Sequence, residues 1–240
     1  MEQAIVFGGS GGVGAALINE LLQRYPHCHI LVPLRYSSSL QLVDDRVKQV
    51  HWDPDDDNSL AEIIASHSSQ PFDLCLSAIG ALHQPNIMPE KKLGQLDIDH
   101  MVWSYKVNAI THAMIIKHVA KHMSKASPAK MGFLTARVGS IGDNKLGGWY
   151  SYRAAKAALN MILRTAAIEM KRYNKTLTIF GIHPGTVDTA LSEPFQNHVP
   201  EHKLFTPAQS AKYIFDNIID QVSVDDSGYV FAWDGEKIPE

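Results

Sequence analysis

The strongest constraint on this chain lies close to its start. Residues 7 to 14 read Phe-Gly-Gly-Ser-Gly-Gly-Val-Gly, behind the apolar run Ala4-Ile5-Val6-Phe7 and ahead of a helical spacing through Leu17, Leu21 and Leu22. Glycine loses more freedom on folding than any other residue, so five in eight positions mark a place where the backbone must turn or be approached closely. Between a first buried strand and a first helix, such a turn lets an anion reach the helix N–H groups and the positive end of the helix dipole. The alternative is a tight strand-to-helix turn that holds nothing. Gly8, Gly12 and Gly14 are spaced G-x-x-x-G-x-G, unlike the G-x-G-x-x-G of two-domain dehydrogenases. No Lys-Ser/Thr follows the last glycine, which excludes a Walker loop.

Beyond the turn, short β-rich runs alternate with helical stretches. Strands are expected at about 4–7, 29–32, 47–52, 72–77, 131–136, 177–182 and 229–233. Helices are expected at 13–24, 59–66, 99–123, 150–173 and 207–221. This alternation predicts an α/β fold: a Rossmann-type, doubly wound parallel sheet of seven strands with helices on both faces. Without a repeat or a dividing linker, residues 1–240 read as a single domain. The Pro-containing stretches 81–96 and 188–206 read as functional loops inside it.

Charge then narrows the partners. A formal net charge of −3 gives no electrostatic reason to bind nucleic acid or an anionic membrane. No uninterrupted apolar stretch is long enough to span a bilayer, and the first residues carry no basic leader. Cys28 and Cys75 both fall in apolar runs, the pattern of packed, reduced thiols and of a cytoplasmic protein.

The second strand ends in Pro33-Leu34-Arg35, with no carboxylate where an NAD enzyme holds its ribose hydroxyls. Arg35 suits a 2′-phosphate, so NADP(H) is expected over NAD(H); a merely solvent-facing arginine is the competing reading. Asp53, closing His51-Trp52-Asp53, is placed to meet an adenine. Tyr152 and Lys156 are four apart at the start of a helix, hence on one face. An ordinary phenol titrates near 10, and a neighbouring cation would bring it down. Such a pair alone arises easily by chance; its weight comes from its place after the fifth strand.

With these elements in order, the whole chain resembles the short-chain dehydrogenase/reductase family. Gly8, Ser10, Gly12, Val13 and Gly14 lie in a segment similar to that family's cofactor turn, with Phe7 where threonine is usual. Ser77-Ala78-Ile79-Gly80 stands where the family has Asn-Asn-Ala-Gly, which implies cofactor contacts at Ala78, Ile79 and Gly80. Tyr105-Lys106-Val107-Asn108 matches the segment whose asparagine orders a relay water; a polar residue holding a helix kink is the other reading of Asn108. His183-Pro184-Gly185-Thr186-Val187-Asp188-Thr189 resembles the stretch that cups the nicotinamide carboxamide, implicating Pro184, Gly185, Val187 and Thr189. The resemblance gives Tyr152 and Lys156 the acid–base roles, with Lys156 also on the nicotinamide ribose.

Runs at 135–141 and 147–153, and the ending Gly228-Tyr229-Val230-Phe231-Ala232-Trp233-Asp234-Gly235, resemble the C-factor-like, carbonyl-reductase-like branch. That branch implies either carbonyl reduction or cell–cell signalling. One departure stands out: Ala136 occupies the place of the family's substrate-holding serine. Counting back from Tyr152 brings Ser140 near that role, while Thr135 should face the other side of its strand. The family further implies a homodimer or homotetramer through its two long helices.

His118 and His122 share a helix face, but without a third ligand and with Lys117 and Lys121 beside them they read as an exposed face, not a metal site. The expected activity is thus NADP(H)-dependent hydride transfer on a small-molecule carbonyl or alcohol, under a lid at 188–206 bearing Phe195 and His198. The alternative is a nucleotide-binding signalling protein of weak turnover.

Overall fold

The computed structural model describes residues 1–35, 40–67 and 70–240. Seven strands form one parallel sheet: β1 (Gln3–Phe7), β2 (His29–Leu34), β3 (Val47–His51), β4 (Leu74–Ser77), β5 (Ala129–Leu134), β6 (Leu177–His183) and, last in the chain, β9 (Val230–Ala232). Their order across the sheet is β3-β2-β1-β4-β5-β6-β9, and every pairing is parallel. The winding reverses between β1 and β4, and a crevice opens there beyond the strand ends.

A strand covered on both faces needs apolar side chains at every position. On β1, Ala4 and Val6 enter one core with Val32, Leu76 and Phe180. That core is covered by α1 (Gly12–Arg24) and α6 (Pro207–Ile214). Ile5 and Phe7 enter the opposite core with Cys75, Met131 and Phe133. There the cover is α2 (Asp57–His67), α4 (Thr111–Val119) and α5 (Tyr150–Met170), with α3 (Ile98–Tyr105) packed on α5. Cys28 and Cys75 are both buried free thiols, as their surroundings in the sequence suggested.

Three expectations change. The single helix expected over 99–123 is divided: between α3 and α4 a π-turn over Lys106–Ile110 adds one residue to the winding and carries Asn108 to full burial. The loop 188–206 is clipped at its base by two short strands, β7 (Thr186–Val187) and β8 (Leu204–Phe205), which pair in parallel. His118 is not on an exposed face: it is 7% exposed, and its Nε2 lies 2.7 Å from Asp57 Oδ1 because α2 packs across α4 there. Among the described residues no group of three or more side chains could hold a metal ion. None of their helices is long and apolar enough to cross a membrane.

Candidate active site

The glycine turn, the loop after β4 and the segment after β6 converge at the crevice. Gly8 has a left-handed backbone, φ +76°, and a Cβ there would stand 2.8 Å from the Ala78 carbonyl carbon. A Cβ on Gly14 would stand 2.1 Å from the Gly8 carbonyl oxygen, so α1 can start against the turn only with glycine at that position. At Gly12 the nearest neighbour is the Thr189 methyl, 2.9 Å from a Cβ position. The N-cap of α1 is Gly11, which offers no side-chain cap, so the first N–H groups of the helix remain available to an anion.

From this turn a groove of about 260 Å³ runs past Arg35, Trp52 and Pro54 to Ala78, Ile79 and Gly80. Missing Cβ atoms, an uncapped helix start and a slot between β2 and β4 fit an extended dinucleotide. Arg35 is exposed and forms no ion pair among the described residues. Asp53, expected at the adenine, turns its carboxylate to its own loop, where Oδ1 accepts the Asp55 N–H at 2.9 Å. Trp52 and Pro54 line the groove there instead. We expect Gly8→Ala to destabilise the fold by about 1–3 kcal/mol in urea unfolding, because both φ and the Ala78 backbone resist a side chain; an unchanged midpoint would contradict this packing.

Beyond the groove, α5 presents Tyr152 and Lys156 one turn apart, 8% and 2% exposed. Lys156 Nζ lies 5.8 Å from the centroid of the Tyr152 ring and donates 2.8 Å to the Leu134 carbonyl at the end of β5. Gly80 packs beside it: a Cβ there would sit 3.5 Å from both Lys156 Nζ and Asn108 Oδ1. The Asn108 amide is occupied, accepting from Ala81 N at 3.0 Å and donating to Ala81 O at 2.8 Å and Ser104 O at 3.0 Å. Its side chain therefore braces the loop after β4 while sitting in the π-turn.

Burial governs the two titrating groups. It pushes Lys156 from 10.5 down to about 7. The Tyr152 phenol is held well above its ordinary value, also by burial. The expected lowering of the phenol by a neighbouring cation is therefore outweighed in this structure. Deeper on the same side, His112 is fully buried, and burial followed by the Lys156 charge lowers it to about 3.

The serine question has a partial resolution. Thr135 Oγ1 donates 2.7 Å to Asn160 Oδ1, which commits it to the joint between β5 and α5. Ala136 is extended and leads into a 3₁₀ turn, Arg137–Gly139. That turn packs on α5, with a Gly139 Cβ position 2.9 Å from Lys156 backbone carbon. Ser140 follows it, buried, with Oγ accepting the Asp143 N–H at 3.1 Å.

Sequence reasoning missed the wall around Tyr152. Trp149 stands edge-on to Tyr152 at 6.4 Å and to Phe195 at 5.1 Å, and Phe195 meets His83 at 6.1 Å. Three loops thus contribute one ring each, with Phe195 supplied by the expected lid; the His198 side chain lies outside the described residues. Trp149 is the one non-glycine residue with positive φ, 51°, among those described, following Gly147 and Gly148 at 65° and 66°. The pair of glycines was the available signal.

A family model described as short chain dehydrogenase matches residues 2–200. Among curated proteins, 1-hydroxy-2-glutathionyl-2-methyl-3-butene dehydrogenase of Rhodococcus sp. (strain AD45) is 33% identical over 153 residues. That match covers 64% of this chain and 64% of the enzyme, a little under two thirds of its length. C-signal of Myxococcus xanthus is 27% identical over 147 residues, 61% of this chain and 82% of that protein. Among solved structures, carbonyl reductase Sniffer of D. melanogaster superposes with a TM-score of 0.83 at 17% identity over all of both chains. A putative short-chain dehydrogenase/reductase from Burkholderia multivorans with bound NADP gives 0.81 at 22%, again over both full chains. These structural likenesses show the fold.

Proposed function

This chain belongs to the short-chain dehydrogenase family, and we propose that it is an NADP(H)-dependent oxidoreductase that reduces carbonyl compounds to alcohols. The observation carrying this reading is the placement of Lys156 Nζ beside Gly80, where the glycine-lined groove ends, with Tyr152 one turn away on α5. The 188–206 loop closes the substrate side of what we take as one domain, residues 1–240.

In this reading Gly8, Ser10, Gly12, Val13 and Gly14 hold the pyrophosphate, and Arg35 the 2′-phosphate. Ala78, Ile79 and Gly80 would hold the nicotinamide half, together with Pro184, Gly185, Val187 and Thr189. A nicotinamide held there would supply the hydride that the carbonyl carbon takes up. Tyr152 donates its phenolic proton to the carbonyl oxygen, completing the alcohol. A phenol carries its proton at neutral pH, the form that donation to the carbonyl oxygen requires. Lys156, fixed on the Leu134 carbonyl, orients the phenol and reaches the ribose. Asn108 holds the loop that shapes this pocket and orders the relay water, and Ser140 is the candidate to hold the substrate oxygen. Trp149, Phe195 and His83 exclude water and suit a flat or apolar carbonyl compound.

Arg35 sets the cofactor preference. Arg35→Ala is expected to weaken NADPH binding at least about tenfold while leaving NADH nearly unchanged, because a charge-assisted bond to the 2′-phosphate is lost; equal affinity of the wild type for both nucleotides would remove the preference. Exposed Met161 on α5 and exposed Tyr173 just beyond its end line, with Ile116 of α4, a broad apolar depression, which we assign to a homodimer or homotetramer contact. We place the protein in the cytoplasm. A second reading, a weakly active nucleotide-binding signalling protein, is favoured by Ala136 and the commitment of Thr135, and by the C-signal relative. Tight NADPH binding without turnover on a panel of carbonyls would select it.

A further inference from the structure

The helix that carries Tyr152 starts without a cap of its own. Its N-cap residue is Trp149, in the left-handed region, whose indole makes no capping bond. The first N–H groups of any helix need partners, and a buried start without them is costly. Here the partner comes from 61 residues upstream. Glu90, in the loop 81–96, is only 3% exposed, and Ser151 is fully buried. Glu90 Oε2 accepts the Ser151 N–H at 3.2 Å, and Oε1 accepts the Ser151 hydroxyl. The Glu90 carbonyl accepts the Trp149 N–H at 2.5 Å. One residue therefore grips both sides of the bend, its carboxylate on the helix start and its backbone on the left-handed tryptophan.

A negative group at a helix start is favoured by the helix dipole, which accounts for a buried carboxylate with no ion-pair partner among the described residues. The grip is also specific in place. Tyr152 is the next residue after Ser151, and Trp149 is the ring that stands against Tyr152 and Phe195. A shift of the first turn of α5 would move the phenol relative to Lys156, whose position is fixed separately by the Leu134 carbonyl.

We propose that Glu90 is a positioning residue for Tyr152: by clasping Ser151 and Trp149 it sets the first turn of α5 and the aromatic wall at the register that proton donation requires. The proposal rests on the reading of Tyr152 as the proton donor. It makes the loop after β4 part of the apparatus on its far side, where Asn108 already braces it on the near side.

The test compares Glu90→Ala, Glu90→Gln, Ser151→Ala and the Glu90→Ala/Ser151→Ala double variant. Each is assayed for kcat and KM on a carbonyl substrate, for NADPH binding by fluorescence, and for amide exchange at 151–153 by mass spectrometry. Misplacing a reacting group by about 1 Å can cost about a hundredfold. Glu90→Ala is therefore expected to lower kcat about ten- to hundredfold with KM and the NADPH Kd within about twofold. Glu90→Gln, which keeps an acceptor and a fixed length, should stay within about threefold of wild type. The double variant should lose no more than Glu90→Ala, because both changes open the same clasp. Exchange protection at 151–153 should fall in Glu90→Ala and persist in Glu90→Gln. An unchanged kcat in Glu90→Ala, a matching loss of NADPH binding, or protection that survives in Glu90→Ala would each overturn the proposal. If Tyr152→Phe retains full turnover, the reading of the proton donor fails instead, and the clasp is judged by exchange alone.

Discussion

Tyr152→Phe is expected to lower carbonyl reduction by about 10²–10⁴-fold while leaving the NADPH Kd within about twofold. The phenolic oxygen is the only part of the side chain removed, so the buried ring keeps its packing against Trp149. The two hydroxyls expected nearby from the sequence have partners of their own. Thr135 is tied to Asn160, and Ser140 accepts from the backbone of Asp143 in its own turn. The measurement is NADPH consumption on a carbonyl panel, with binding followed separately by fluorescence. A variant that retains wild-type turnover would contradict the assignment of the proton donor; one that also loses NADPH binding would point to a role in the groove.

Lys156→Met has the second large effect, and it acts in two directions. Turnover should fall at least about a hundredfold, because the group that fixes the phenol and reaches the ribose is gone. Stability at acidic and neutral pH should rise. Burial lowers Lys156 from 10.5 to about 7, so between those values the unfolded chain binds more protons than the native one, and native stability climbs with pH. Below about pH 7 both states are protonated, and the folded protein carries the full cost of a buried ammonium. At about 1.4 kcal/mol per pH unit, the fall from 10.5 to about 7 corresponds to about 5 kcal/mol. Loss of the hydrogen bond to Leu134 returns about 1–3 kcal/mol of that. Urea unfolding should thus find Lys156→Met more stable by about 2–4 kcal/mol at pH 6, with the gap narrowing steadily toward pH 10. A variant less stable at pH 6, or a gap independent of pH, would mean that the native lysine is charged and compensated. The expected pattern is that of a site that trades stability for chemistry.

What could be read from the chain before its structure divides along physical lines. Strands buried on both faces announce themselves by unbroken apolar runs, so the middle of the parallel sheet was legible from Ala4-Ile5-Val6-Phe7 and its counterparts, while the edge strand β3, Val-Lys-Gln-Val-His, carries no such run. Gly8 and Gly14 were legible as well, because only glycine tolerates the Ala78 and Gly8 contacts they make. Tyr152 and Lys156 could be paired from helical spacing together with their place after the fifth strand. Their burial could not, and it is burial that sets their titration opposite to the simple charge argument. The π-turn at Asn108 was hidden because its stabilising partner, the backbone of Ala81, lies 27 residues away. Glu90 was hidden for the same reason, as an ordinary polar residue in a loop until the chain brings Ser151 to it. His118 was misread because helix neighbours report one face, while Asp57 approaches from another element.

The most direct test of the account is a fluorescence titration of the purified protein with NADPH and with NADH, followed by addition of carbonyl compounds to the NADPH-loaded sample. Saturable binding of NADPH, tighter than NADH, and loss of the reduced nucleotide in step with alcohol formation are the predicted results. Failure to bind either nucleotide would mean that the glycine turn at 7–14 holds nothing, and the account would be wrong at its base.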